Sequence, residues 1–190
     1  EAANNLIFDW ELGDAAATDK AIAEAAHVTE IEIHNNRLSP NAMEPRATLG
    51  IYDAAEDHYT CYTTSQNPHV ARLVMSAFYN VAPENKLRVI APDVGGGFGS
   101  KIYIYPEEIV CLWASKKTGV PVKWTADRTE AFLTDAHGRD HLSKVKMAFD
   151  AQNRMTALKV DTIANLGAYM SLFSSAVPTY LYATLLSGQY

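Results

Sequence analysis

Apolar and polar residues change period several times along the chain, and each change predicts an element. Val70, Leu73, Val74, Ala77, Phe78 and Val81 follow i, i+3, i+4, i+7 spacing. That predicts an amphipathic helix ending before Pro83, with Asn67 as its cap and Pro68 in its first turn. Behind Asp14, the residues Ala17, Ala21, Ile22 and Ala25 share one face of a helix over about 16–26, and their small size implies close packing against a sheet. A third helix opens at Pro106-Glu107-Glu108, with Ile109, Val110, Leu112 and Trp113 as its apolar face and Gly119 as its stop. Residues 127–132 read as a short fourth helix. Between the helices the period drops to two. Val28, Glu30, Glu32 and His34 alternate with Thr29, Ile31 and Ile33, a half-buried strand that leaves His34 as a solvated residue. Shorter strand-like runs lie at 5–12, 48–52, 58–64, 87–91 and 120–125. Asp53, Glu56 and Asp57 form a solvated hairpin tip, and 142–150 and 155–163 make a second hairpin.

The fold class that follows is α+β. Two strand–helix–strand successions give βαβ-like units, which join an antiparallel hairpin around one mixed sheet region. The uncharged, aromatic stretch 167–190 lacks clean periodicity and is expected to be buried.

Composition narrows the function. The net charge is −6 with no basic block, which speaks against nucleic acid as a partner, and no apolar run is long enough for a membrane span. Cys61 and Cys111 are isolated in apolar surroundings and read as reduced core residues, consistent with a cytoplasmic protein. No Cys-x-x-Cys or His-x-x-x-His encodes a metal site. Glu1 and Tyr190 read as cuts inside a longer polypeptide.

The chemistry concentrates at Val94-Gly95-Gly96-Gly97-Phe98-Gly99-Ser100-Lys101, which follows a strand and precedes a helix. Four glycines in five residues let N–H groups turn toward one anionic or oxo group. The order Gly99-Ser100-Lys101 is not a Walker A loop, and Ser100 stands where a dinucleotide fingerprint needs glycine or alanine. A tight turn without a ligand is the alternative. Phe98 is expected to pack in the core or over a ligand. Gln66 closes the other strand-to-helix turn, where a neutral amide can donate one hydrogen bond and accept another, and where local capping is the alternative. Glu44 is expected to pair with Arg46 or another arginine. His137 and His141 belong to a surface loop with an Arg–Asp pair.

Thr64-Ser65-Gln66-Asn67-Pro68-His69, followed by the glycine loop, resembles the molybdenum hydroxylases, the xanthine dehydrogenase, aldehyde oxidase and aerobic carbon monoxide dehydrogenase family. Asn41-Ala42-Met43-Glu44-Pro45-Arg46-Ala47 and Val122-Lys123-Trp124-Thr125-Ala126-Asp127-Arg128 add to the likeness, which is greatest for the large subunit of the carbon monoxide dehydrogenase-like branch. The resemblance implies that residues 1–190 are the N-terminal portion of a larger molybdopterin cofactor-binding domain. It implies molybdopterin cytosine dinucleotide with molybdenum, held by Gly96, Gly97, Phe98 and Gly99 with Gln66 near an oxo ligand, and a metal bound by the dithiolene rather than by protein. It implies a small-molecule substrate hydroxylated with water-derived oxygen. Electrons would pass through 2Fe-2S clusters on a small subunit to FAD on a medium subunit, in a dimer of heterotrimers. Ile102 stands where purine hydroxylases carry glutamate. The family's glutamate base and arginine-containing loop have no counterpart in this sequence, so Glu44, Glu107 and Glu108 are not nominated. Two other classes compete: a cofactor-free scaffold of the same fold and a phosphate-binding domain.

Overall fold

The computed structural model describes residues 3–171 and 173–186. Two compact units divide the chain. One is continuous, Leu38–Gly138; the other is made by the flanking segments, through Arg37 and from Arg139 onward.

In the continuous unit, β2 (Ala47–Asp53) and β3 (His58–Thr63) form the hairpin with the acidic tip. Helix α2 (Pro68–Ala77) carries the chain to β4 (Leu87–Ile90), which pairs parallel with β3. That is a true βαβ unit. The second succession runs from β4 through α3 (Pro106–Thr118) to β5 (Val122–Thr125), and β5 lies at the far edge, antiparallel to β2. The sheet order is β4-β3-β2-β5, so this second connection crosses the whole sheet instead of pairing neighbours. Helix α4 (Arg128–Thr134) starts at a capping box in which Asp127 and Glu130 satisfy each other's backbone N–H.

Tyr59, Cys61, Met75, Ala82, Leu87 and Leu112 form the core. Both helices bury a different face from the one their most apolar residues suggest. Helix α2 turns Ala71, Val74 and Met75 inward and leaves Leu73 and Phe78 exposed. Helix α3 buries Glu108, Cys111, Leu112 and Ser115 while Val110 and Trp113 face out. The polar members of that stripe are paired. Ser115 Oγ accepts the Tyr52 N–H at 2.9 Å, and Glu108 accepts from Thr63 and from the Tyr105 N–H. Gly50 lets α3 approach the sheet, since a Cβ there would lie 2.5 Å from the Cys111 carbonyl carbon.

In the other unit, β1 (His27–Asn35), β6 (His141–Phe149) and β7 (Met155–Ala164) form an antiparallel sheet in the order β1-β6-β7. The expected hairpin is β6–β7. The single sheet region expected from the sequence is therefore two sheets. Helix α1 (Ala15–Ala23) packs against β7 and β6, and Asp19 takes a 2.8 Å bond from Lys159. Strand β1 is exposed along its full length, not half-buried, because helix α1 covers β7 and β6 instead, and its cross-strand partners include charged pairs such as Glu30–Lys146. Residues 6–12 form no strand. The described part of 167–190 contains a π-helical turn, Val177–Leu181, and α5 (Tyr182–Leu186). It is not buried: Tyr169, Met170 and Tyr180 are exposed. Positions 187–190 lie outside the described residues.

Candidate functional site

The site is built where β3 gives way to α2. Thr64 and Ser65 are buried at the strand's end, and Ser65 Oγ accepts the Asn67 N–H at 3.1 Å, which tightens the turn. Gln66 projects from it. Its Oε1 accepts the N–H groups of Gly99 (3.0 Å) and Lys101 (3.3 Å), and its own N–H donates to Lys101 O (2.9 Å). Those two donors fix which end of the carboxamide is oxygen. The amide nitrogen of this exposed residue has no partner among the described residues. Gln66 is thus not a local cap. Asn67 holds the N-cap position of α2 without capping, and its Oδ1 is buried with no hydrogen-bond partner. A buried acceptor left open is costly unless something outside the chain satisfies it.

The glycine loop packs against Gln66 so closely that a Cβ on Gly97 would sit 2.2 Å from Gln66 Oε1. Gly96 and Gly99 take φ of +91° and +95°. Gly95 N–H donates to Glu44 Oε2, Gly96 N–H to Val94 O, Gly99 and Lys101 N–H to Gln66, and Ser100 N–H to Gly97 O. From Gly95 to Lys101, only the N–H groups of Gly97 and Phe98 have no acceptor among the described residues. Phe98 is not a core residue. It is 76% exposed at φ +51°, a conformation that costs a bulky side chain energy. The loop therefore carries a strained, displayed ring beside two unclaimed donors.

Behind the loop lie charges that the sequence did not pair correctly. Glu44 bonds not to an arginine but to Lys101 Nζ, at 2.9 Å, and the lysine side chain is 1% exposed. Burial pushes the Glu44 carboxyl up, but the Lys101 ammonium and the Gly95 N–H outweigh it and hold it below its ordinary 4.5. Arg46 instead binds Asp135 (2.5 Å) and Glu107 (3.1 Å) and lies 3.6 Å from the Tyr105 ring centroid. Burial alone would lower its pKa, and the two carboxylates raise it. Glu108 is shifted up by burial, against the bonds from Thr63 and Tyr105. A water-sized cavity lies among Arg46, Thr63, Thr64, Lys101 and Glu108. In the other unit, Asp140 pairs with Arg37 and not with its neighbour Arg139. His34 is exposed beside Glu32.

The groups left without partners are the Gln66 amide nitrogen, the backbone N–H donors of buried Gly97 and exposed Phe98, and the buried Asn67 carbonyl acceptor. No cluster of three or more His, Cys, Asp or Glu able to hold a metal ion occurs among the described residues. This set fits a group that brings its own metal ligands and offers hydrogen-bonding atoms to the protein. The family model of the molybdopterin cofactor-binding domain matches residues 1–190. The chain belongs to that family. As a molybdopterin cofactor-binding domain, it is 37% identical over 166 residues to the carbon monoxide dehydrogenase large chain of Hydrogenophaga pseudoflava. That match covers 87% of this chain and 20% of the relative. It is 34% identical to the nicotine 6-hydroxylase large subunit of Paenarthrobacter nicotinovorans, over 80% of this chain and 18% of the relative. Among solved structures, carbon monoxide dehydrogenase from Oligotropha carboxidovorans superposes with a TM-score of 0.72 at 35% identity, over 80% of this chain and 19% of that one. The chain thus spans about a fifth of the relatives it matches. The α+β class expected from the sequence is the class these relatives share. No described helix is long and apolar enough to cross a membrane.

Proposed function

We propose that this domain is the N-terminal portion of the molybdopterin-binding part of a molybdenum hydroxylase large subunit, a part that continues past Tyr190. The bound form would be molybdopterin cytosine dinucleotide, held by Gln66, Gly96, Gly97, Phe98 and Gly99. The observation that carries this reading is the contact between the Gln66 carboxamide and a loop whose Gly97 and Phe98 amides are unclaimed. Two ordered turns presenting neutral donors suit an anionic, oxo-bearing group, because their dipoles are already oriented and do not reorganise on binding.

When bound, such a cofactor supplies the oxidising metal centre at which a water-derived oxygen is transferred to a small substrate. The protein residues bind and orient. The Gln66 amide nitrogen would donate to an oxo-type acceptor, and the Gly97 and Phe98 N–H groups would donate alongside it. The exposed Phe98 ring would shield that surface from water. Gly96 and Gly99 would shape the cradle, their own N–H groups being engaged within it. No carboxylate in the domain is nominated as the base: Glu44 is held by Lys101, Glu107 by Arg46, and Glu108 is buried against Thr63. The partners that the family resemblance implies are a 2Fe-2S small subunit and an FAD-binding medium subunit, in a cytoplasmic dimer of heterotrimers. Substrate candidates are carbon monoxide, aldehydes and N-heterocycles.

Molybdenum content of the complex purified from its native source tests this reading, with subunit masses recorded alongside. About one molybdenum per large subunit, on a polypeptide much longer than this one, is expected. A metal-free chain with the mass of these 190 residues would overturn it and leave the scaffold reading.

A further inference from the structure

Two polar clasps hold the glycine loop, one at each end. Gln66 holds the C-terminal end through Gly99 and Lys101. The N-terminal end is held by Glu44, whose Oε2 accepts both the Gly95 N–H at 2.8 Å and Lys101 Nζ at 2.9 Å. Lys101 Nζ also donates to Glu44 O at 2.8 Å, and the Glu44 N–H reaches Gly95 O at 3.3 Å. Lys101 thus belongs to both clasps, by its backbone at Gln66 and by its ammonium at Glu44. The fit is tight, because a Cβ on Gly95 would lie 2.5 Å from Glu44 Cβ. The arm bearing Glu44 is itself fixed by Arg128, which donates to Asn41 Oδ1 at 2.7 Å and to Met43 O at 3.0 Å.

We propose that Glu44 and Lys101 are positioning residues that hold the loop so that the Gly97 and Phe98 N–H groups stay unclaimed and face the cofactor. This rests on the cofactor reading above. A loop with four glycines has little conformational preference of its own. Left unpinned, it would satisfy those two donors internally or with solvent, and the Phe98 backbone would relax from its left-handed conformation. The ion pair is well suited to the task, being nearly buried on the lysine side and made of charge-assisted hydrogen bonds. Its role differs from that of the Arg46 cluster, which joins Asp135 and Glu107 and touches no loop amide.

The test uses the full complex from its native source as wild type, E44A, E44Q and K101M. Molybdenum per large subunit is read by elemental mass spectrometry, and the reduced complex by electron paramagnetic resonance normalised to molybdenum. E44A and K101M are expected to lose roughly ten- to hundredfold of retained molybdenum, with unchanged subunit composition. E44Q still accepts from Gly95 but offers Lys101 no charge, and should fall between E44A and wild type. The fraction still loaded should show a shifted spectrum per molybdenum, which a purely structural role would leave alone. Where E44A fails to assemble, E44Q decides: partial loss with a shifted spectrum supports the assignment, and wild-type values overturn it. A loaded wild type with indifferent E44A and K101M variants overturns the positioning pair alone. A wild type free of molybdenum overturns the cofactor reading and the pair with it.

Discussion

Replacing Gly97 with alanine separates the site from the fold. The added Cβ would meet Gln66 Oε1 at 2.2 Å, Cδ at 2.6 Å and Cγ at 2.8 Å, all atoms of one side chain that reaches solvent. Gln66 can swing away, so sheet and helices need not move. Swinging away breaks its bonds to the Gly99 and Lys101 N–H groups. Two neutral hydrogen bonds at about 1 kcal/mol each give about 2 kcal/mol, or roughly thirtyfold in cofactor retention. The assay is molybdenum and cytidine nucleotide per large subunit, with the melting temperature of the complex as control. Gln66→Ala removes the atoms in the way, and also the bonds, so it should cost about as much as Gly97→Ala. The double variant should then be no worse than either single one. A double variant whose loss equals the product of the two single losses would refute the reasoning. So would a Gly97→Ala complex that keeps its full cofactor.

Gly50→Ala should do the opposite, because its Cβ would meet backbone at Cys111 and Leu112 (2.5 and 2.6 Å), which cannot swing aside. A loss of about 3 kcal/mol is expected, seen as a lower calorimetric melting temperature, and an unchanged melt contradicts the close approach of α3 to β2. Arg46→Met strands the nearly buried Asp135 carboxylate and should cost about 3–5 kcal/mol; Arg46→Lys should recover only part of it, since one ammonium cannot reproduce the forked contacts. Burial pushes the Cys61 thiol from its ordinary 9.0 up to about 12, against the opposing bond with Thr48. Cys61 should therefore resist alkylation at pH 8 until the protein unfolds. Because the folded value is the higher one, its contribution to stability is complete below about pH 9 and is lost as the pH rises toward 12, which melting in alkaline buffers would show.

The two turns were legible in the sequence because their chemistry is local. A strand end, a helix cap and a glycine cluster are each contiguous, and close backbone approach requires glycine. The partners were not. Arg46 meets Asp135 and Lys101 meets Glu44 across long stretches of chain, and composition cannot say which charge reaches which. Helix faces were misjudged for a related reason. A helix on a sheet buries what fits, so Ser115 and Glu108, once paired, displace Trp113 and Val110. The orphaned Oδ1 of Asn67 is visible only in three dimensions, since its residue type and position predict an ordinary cap.

The division of the chain into one continuous unit and one made of two flanking segments sets an order of assembly. A ribosome delivers β1 first, but its hydrogen-bonding partner β6 emerges only after the whole of Leu38–Gly138. The continuous unit has every strand of its sheet in hand by Thr125. Meanwhile β1, with Val28, Ile31 and Ile33 uncovered, waits as an unpaired edge, the kind of segment that recruits the wrong neighbour or a chaperone. The strands that carry the cradle are thus all made before β1 meets its partner β6, and the stretch most exposed to misfolding belongs to the other unit.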